Sequence, residues 1–190
     1  MKKHIITLGG FPGSGKSTTK NLLAEALGYK TFSTGDFVRD LAHERGLSLE
    51  EFNDLVTHDK SLDRLIDEKL EHIEAFEDYY ILDSHLAVHF VPSSFSVYLH
   101  ISPEKSAERI YNDAHSPSRI KSKDTMDTVE EALERTQKRV ANHIDRYMRH
   151  YGVNPYLESN YTLVIDTEKL TPAEITKTIL DTYTEWKKTE

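Results

Sequence analysis

Gly10-Phe11-Pro12-Gly13-Ser14-Gly15-Lys16-Ser17 decides how this chain is read, because it fits the pattern G-x-x-x-x-G-K-[ST]. Its context agrees with its letters. A short β-prone run, His4 to Leu8, precedes it, and a helical pattern from Ser17 to Leu27 follows. Glycines let the backbone curl so that successive N–H groups point at a phosphate. A helix opening near Gly15 adds the positive end of its dipole. Lys16 supplies a mobile cation for β- and γ-phosphates, and Ser17 offers a hydroxyl to Mg²⁺. Gly10, Pro12, Gly13, Ser14, Gly15, Lys16, Ser17 and Thr18 are therefore the expected ATP-binding set. The alternative is a glycine-rich turn with a chance Lys-Ser. The motif names a nucleoside triphosphate and leaves the acceptor open.

Outward from the loop, strands and helices alternate. The helix after the loop carries Leu22, Leu23, Ala26 and Leu27 on its apolar side, and Gly28 stops it. A brief strand begins near Tyr29-Lys30-Thr31-Phe32. Helices follow between Asp36 and Glu77, one of them opened by a capping box of Ser48 and Glu51. Strands are expected at Tyr79 to Leu82, Phe95 to Ile101 and Tyr161 to Ile165. Ser102-Pro103 and Thr171-Pro172-Ala173-Glu174 read as helix starts, and a long helix spans Val129 to Tyr151. Five apolar strands separated by helices imply an α/β fold with a parallel sheet flanked by helices on both faces. Ligands of such sheets sit at the strands' C-terminal ends, where the loop, Ser33 to Asp36 and Asp83 all fall.

Composition narrows the class. The chain has 190 residues, which suits one domain, and no repeat or linker divides it. There are no cysteines, so disulfides, thiolate metal sites and cysteine nucleophiles are excluded. With 24 Lys+Arg against 32 Asp+Glu, the net charge of −8 weighs against a general nucleic-acid or acidic-membrane binder. No apolar run approaches the roughly 18 residues of a membrane span, and the start is too short for a signal sequence. The expectation is a soluble cytoplasmic protein, with monomer or dimer left open.

From Ile5 to Phe52 the chain resembles the nucleoside monophosphate kinases, most of all the short archaeal-type cytidylate kinases. The residues are the phosphate loop, Leu23-Ala24-Glu25-Ala26-Leu27-Gly28-Tyr29, the run Phe32-Ser33-Thr34-Gly35-Asp36-Phe37-Val38-Arg39, and Ala42-His43-Glu44-Arg45-Gly46-Leu47-Ser48-Leu49-Glu50-Glu51-Phe52-Asn53. Arg139, Arg146-Tyr147, Tyr151-Gly152 and Leu163-Val164-Ile165-Asp166-Thr167 also match. The resemblance implies a P-loop NTPase fold in one domain, 1–190, with a helical acceptor-binding arm at about 35–77 and a lid at about 112–128. It implies transfer of the ATP γ-phosphoryl to CMP or dCMP, with Mg²⁺. It also implies an acceptor-binding set of Ser33, Asp36, Arg39, Asp83, Arg139 and, at the place of a family arginine, His85, and that Arg109, Arg139 and Arg146 act on the phosphates beside Lys16.

Residue chemistry adds to this. A guanidinium fork suits phosphate bidentately, which favours Arg39 as a clamp. Arg135, Arg139 and Arg146 lie at offsets of 4 and 7, near one helix face, where a shared anion would relieve their repulsion. The plainer reading is a solvated face neutralised by Glu131, Glu134 and Asp145. Asp83, after apolar Tyr80-Ile81-Leu82, has the form of a carboxylate that orients Mg²⁺ waters, so Ser17 and Asp83 are the expected metal residues. The basic segment His115 to Lys123 reads as a closing lid.

Three positions depart from the resembled pattern. His85 stands where those enzymes have an arginine on the acceptor phosphate; a nearby phosphate dianion would favour its protonated form. Asp113 stands where a lid arginine is usual, with Arg119, Lys121 or Lys123 as replacements, and Asp67-Glu68-Lys69-Leu70 replaces basic residues and a glutamine. His85 and His89 have a metal-pair spacing on a helix but no evident third ligand. Two alternatives stay open: a P-loop kinase for AMP, UMP or a non-nucleotide, and an ATP-binding sensor without transfer.

Overall fold

Ile5, Ile6, Thr7 and Leu8 are all buried, as a strand covered on both faces requires. They belong to β1 (Ile5–Gly10), the middle of a five-stranded sheet. The structure is a computed structural model that describes residues 2–47, 51–52, 61–115 and 126–189. Its other strands are β2 (Lys30–Ser33), β3 (Tyr80–Asp83), β4 (Phe95–His100) and β5 (Leu163–Asp166), all parallel, in the order β2-β3-β1-β4-β5. The helices are α1 (Lys16–Leu27), α2 (Thr34–Glu44), α3 (Ser61–Phe76), α4 (Ala87–Phe90), α5 (Pro103–Ala114), α6 (Val129–Tyr151) and α7 (Pro172–Lys188).

Side chains alternate across β1 and feed two cores. Ile5 joins Phe52, Leu70, Ile73, Leu82 and Tyr147 on one face. Ile6 and Leu8 join Leu23, Phe95, Val97, Ile179 and Tyr183 on the other, under α1 and α7. From β1 the chain passes through α1 and beyond β3 to reach β2, so strand order reverses beside β1. That reversal opens a crevice at the strands' C-terminal ends. Register aligns the ends: Leu8 and Ser33 both lie opposite Asp83, and Gly10 lies opposite Leu99.

The five-stranded parallel sheet and its flanking helices match the expectation. The helix starts also agree: Ser102 caps α5 with Pro103 in its first turn, and Thr171 with Glu174 forms a capping box on α7. Gly152, in the left-handed region, closes α6.

Several details differ. Tyr79 is not in a strand; its φ of 63° is left-handed, and its ring stacks on His4 with centroids 4.6 Å apart. The last strand starts at Leu163 rather than Tyr161, because Tyr161 turns its ring onto Gly9. On α1 Ala26 is exposed, while Thr19 and Lys20 are buried with Leu23, so the buried stripe is rotated toward the site. The short α4 has no counterpart in the sequence reading. Ser48 of the expected capping box, and the lid segment 116–125 with Arg119, Lys121 and Lys123, lie outside the described residues. No described helix is long and apolar enough to cross a membrane.

Candidate functional site

The phosphate loop leaves β1 at Gly10, whose φ is 135°. A Cβ there would lie 2.4 Å from the Leu99 carbonyl oxygen, so only glycine lets the chain turn against β4. Gly13 (φ 74°) faces α5 so closely that a Cβ would lie 3.0 Å from the Ser106 carbonyl oxygen. Ser106 Oγ donates to the Pro12 carbonyl at 2.6 Å and ties the loop to that helix. Ser14 is buried, and its Oγ has no hydrogen-bond partner among the described residues. Gly15 caps α1, and Thr18 is exposed in its first turn.

Lys16 Nζ donates to the carbonyls of Gly10 and Phe11 at 2.9 and 2.8 Å, so its cation is curled over its own loop. Burial lowers its pKa to about 8; the Asp83 carboxylate opposes that shift and the Arg139 guanidinium adds to it. Ser17 Oγ donates to Asp83 Oδ2 at 2.9 Å across the ends of β1 and β3. A hydroxyl and a carboxylate side by side are the oxygen donors that Mg²⁺ prefers. They therefore fit the expected metal position.

On the β2 side, Ser33 Oγ accepts from the Asp36 backbone N–H at 3.3 Å and caps α2. Asp36 lies between two cations, with Lys20 Nζ 3.1 Å from one carboxylate oxygen and the Arg39 guanidinium on the other. Partial burial would raise the Asp36 pKa, but the hydrogen bonds from Arg39 and Lys20 outweigh it and hold the carboxylate below its usual range. Lys20 is a participant the sequence reading missed. The available signal was its offset of four from Lys16, which puts both lysines on one face of α1.

The arginines divide. Arg139 is exposed, forms no hydrogen bond or ion pair among the described residues, and lies near enough to Lys16 to lower its pKa. Arg146 is half-buried, donates to the Tyr147 hydroxyl at 3.0 Å and lies over that ring. Arg135 pairs with Glu131, as the solvated-face reading has it, whereas Asp145 pairs with Arg149 rather than Arg146. Arg109 lies on α5, its guanidinium donating to the Thr167 carbonyl at 2.6 Å beyond β5.

His85 follows β3 and is only partly exposed, with Nδ1 buried and without a hydrogen-bond partner among the described residues. Burial, then Lys16, His143, Arg139 and Arg146, hold its pKa well below the ordinary imidazole value. These surroundings favour the uncharged ring, and a phosphate dianion beside it would act in the opposite direction. His143 on α6 is likewise driven down, to about 3, by burial, Arg139, Arg146 and Lys16. His143 Nδ1 is 2.9 Å from the Tyr156 hydroxyl, and the rings of His85 and Tyr156 are 5.1 Å apart. A pocket of about 230 Å³ opens beside them, lined in part by His85, His89, Val153 and Pro155. The metal pair of His85 and His89 is not on one helix, since α4 begins after Leu86. No group of three metal-ligating side chains occurs among the described residues.

The arrangement is a glycine-turned loop with Lys16, a hydroxyl–carboxylate pair, Arg139 of α6 near Lys16, and Arg39 of α2 held on Asp36. Comparison with known proteins places the chain in a family. Residues 6–130 match the AAA domain family. A cytidylate kinase of Methanocella arvoryzae is 33% identical over 97% of this chain and 99% of its own. An S-adenosylmethionine-dependent nucleotide dehydratase of Lacinutrix mariniflava is 32% identical over 95% of this chain, which spans 36% of that longer protein. Among solved structures, a shikimate kinase from Aquifex aeolicus overlays with a TM-score of 0.57 at 21% identity, covering 95% of this chain and 96% of that one. The last of these speaks to the fold alone. The chain belongs to the AAA-domain family of P-loop proteins and, over nearly all its length, to the group that includes the archaeal cytidylate kinases.

Proposed function

We propose that this protein is a cytoplasmic nucleoside monophosphate kinase that moves the γ-phosphoryl of ATP to CMP or dCMP. The observation that carries the reading is the convergence of Lys16, the Ser17–Asp83 pair and Arg139 at one end of the sheet, in a chain 33% identical to a cytidylate kinase. Phosphoryl transfer asks a protein for positioning and for cations around the shifting charge. Lys16 exchanges the carbonyls of Gly10 and Phe11 for phosphate oxygens. The backbone N–H groups of the loop and α1 cradle the β-phosphate. Arg139 and Arg146 approach from α6 toward the transferring group, and Arg39 holds the acceptor phosphate from α2. Ser17 and Asp83 would hold Mg²⁺, which would supply charge neutralisation to the phosphates. The region from 35 to 77 serves as the acceptor arm, and the region from 112 to 128 as the lid.

A second reading, a kinase for another acceptor, is favoured by His85, whose neutral ring adds no cation to the acceptor side. One experiment separates the two. Product is measured from ATP–Mg²⁺ with CMP, dCMP, UMP, AMP and GMP in turn. A clear CMP or dCMP preference is expected, since a hydrogen-bonding pocket rejects a wrong base strongly. A different winner supports the second reading. ATP binding without product from any monophosphate overturns the nucleotide-kinase reading.

A further inference from the structure

Tyr156 lies in the connection between α6 and β5 and touches three parts of the site that come from distant stretches of chain. Its hydroxyl is 2.9 Å from His143 Nδ1 on α6. Its ring centroid is 5.9 Å from that of Phe11 in the phosphate loop, edge-on, and 5.1 Å from that of His85 after β3. His143 follows Arg139 by four residues and precedes Arg146 by three, so it lies on the arginine-bearing face of α6. The segment holding Tyr156 is itself stitched together. Asn154 Oδ1 accepts from the Tyr156 backbone N–H at 3.0 Å, Asn160 Nδ2 donates to the Asn154 carbonyl at 2.9 Å, and the Tyr161 hydroxyl donates to the Pro155 carbonyl at 2.7 Å.

We infer that Tyr156 is a positioning residue: it fixes the arginine face of α6 against the phosphate loop and thereby sets where Arg139 stands relative to Lys16. The inference rests on the kinase reading only for its effect on turnover; its effect on ATP affinity follows from the juxtaposition alone. A polar bond in a partly buried site is the means. The phenol stays protonated, because burial chiefly raises its pKa, and His143 is neutral, so the pair is one uncharged hydrogen bond. Such a bond resists the repulsion among Lys16, Arg139 and Arg146 without adding charge to a site meant for anions. A charged pair at the same place would compete with the phosphates.

The test is a double-mutant cycle in the full chain. Tyr156→Phe keeps the ring contacts and deletes the hydroxyl; Arg139→Ala deletes the guanidinium. ATP–Mg²⁺ dissociation constants come from calorimetry, and kcat is added wherever the wild type turns over. Melting temperatures show whether each variant is folded. If Tyr156→Phe does not fold, His143→Phe replaces it, breaking the same bond from the other side. The expectation is that Tyr156→Phe weakens ATP binding about threefold to tenfold, the range of one hydrogen bond. Arg139→Ala should then lose most of its own effect in that background. Equal effects of Arg139→Ala in both backgrounds, in a folded protein, overturn the inference and leave Tyr156 a packing residue. Failure of the wild type to make product with any monophosphate overturns the kinase reading instead, and the coupling in ATP affinity still decides the role of Tyr156.

Discussion

Raising the pH should discharge Lys16 before it discharges an ordinary lysine, and the consequences can be worked out. With its pKa at about 8, the free protein holds Lys16 mostly charged at pH 7, half charged at pH 8 and mostly neutral at pH 9. Bound phosphates favour the ammonium and restore its pKa, so ATP binding must take up the missing proton. The expected uptake is about 0.1 proton at pH 7, about 0.5 at pH 8 and about 0.9 at pH 9. Apparent ATP affinity should fall about tenfold between pH 7 and pH 9. The neighbouring histidines do not blur this window, since His85 and His143 are already neutral there, and the buried tyrosines Tyr156 and Tyr161 titrate above it. Calorimetric titration of ATP–Mg²⁺ in buffers of different ionisation enthalpy measures the uptake directly. Lys16→Arg, which cannot discharge, is the control and should take up none. The same shift has a sign for stability: between pH 8 and 10.5 the unfolded chain holds more protons than the folded one, so this group's contribution rises with pH. Zero uptake at pH 9, or equal uptake by Lys16→Arg, would refute the account of a desolvated, cation-crowded lysine.

Other expectations follow from the same geometry. Asp36→Ala leaves the buried Lys20 ammonium, its side chain 8% exposed, without its carboxylate, whereas Lys20→Met leaves Asp36 open to water at 53%. Denaturant melts should therefore find Asp36→Ala costly, by about 3 kcal/mol, and Lys20→Met within about 1 kcal/mol of wild type. The opposite ranking would mean Lys20 is solvated in solution. Gly10→Ala forces a Cβ to 2.4 Å from the Leu99 carbonyl at a left-handed φ, and should cost more than about 2 kcal/mol in melting experiments while abolishing ATP binding. Retained ATP affinity in that variant would mean the loop does not need its present path. Asp83→Asn keeps the shape beside Ser17 but removes the charge. ATP turnover should fall on the order of a hundredfold, and the Mg²⁺ concentration for half-maximal rate should rise. An unchanged Mg²⁺ dependence would remove Asp83 from the metal.

The sequence alone determined the parts governed by local chemistry. The glycines and Lys16 of the loop, the capping residues Ser102 and Thr171, the terminating Gly28 and Gly152, and the apolar strands each follow from backbone freedom, capping and burial that act within a few residues. Together they were enough to imply a parallel sheet with its ligand edge at Gly10, Ser33 and Asp83. The family resemblance added Arg39, Arg139 and Arg146, which spacing alone could not have separated from solvated surface arginines. Tertiary structure decided what depends on residues far apart in the chain. Lys20 reads as a surface lysine until α2 brings Asp36 to it, and it is buried with Thr19 and Leu23 while Ala26 is exposed. The carbonyl that holds Arg109 belongs to Thr167, 58 residues on. The downward push on the His85 pKa comes from burial among Lys16, His143, Arg139 and Arg146, charges and rings supplied by other elements. Tyr156 carries no motif, and only the fold brings it against Phe11, His85 and His143. Local patterns are legible because they follow from the chain's own stereochemistry. Protonation states and long-range pairings are not, because they are set by the electrostatic field and desolvation that exist only once distant segments have packed.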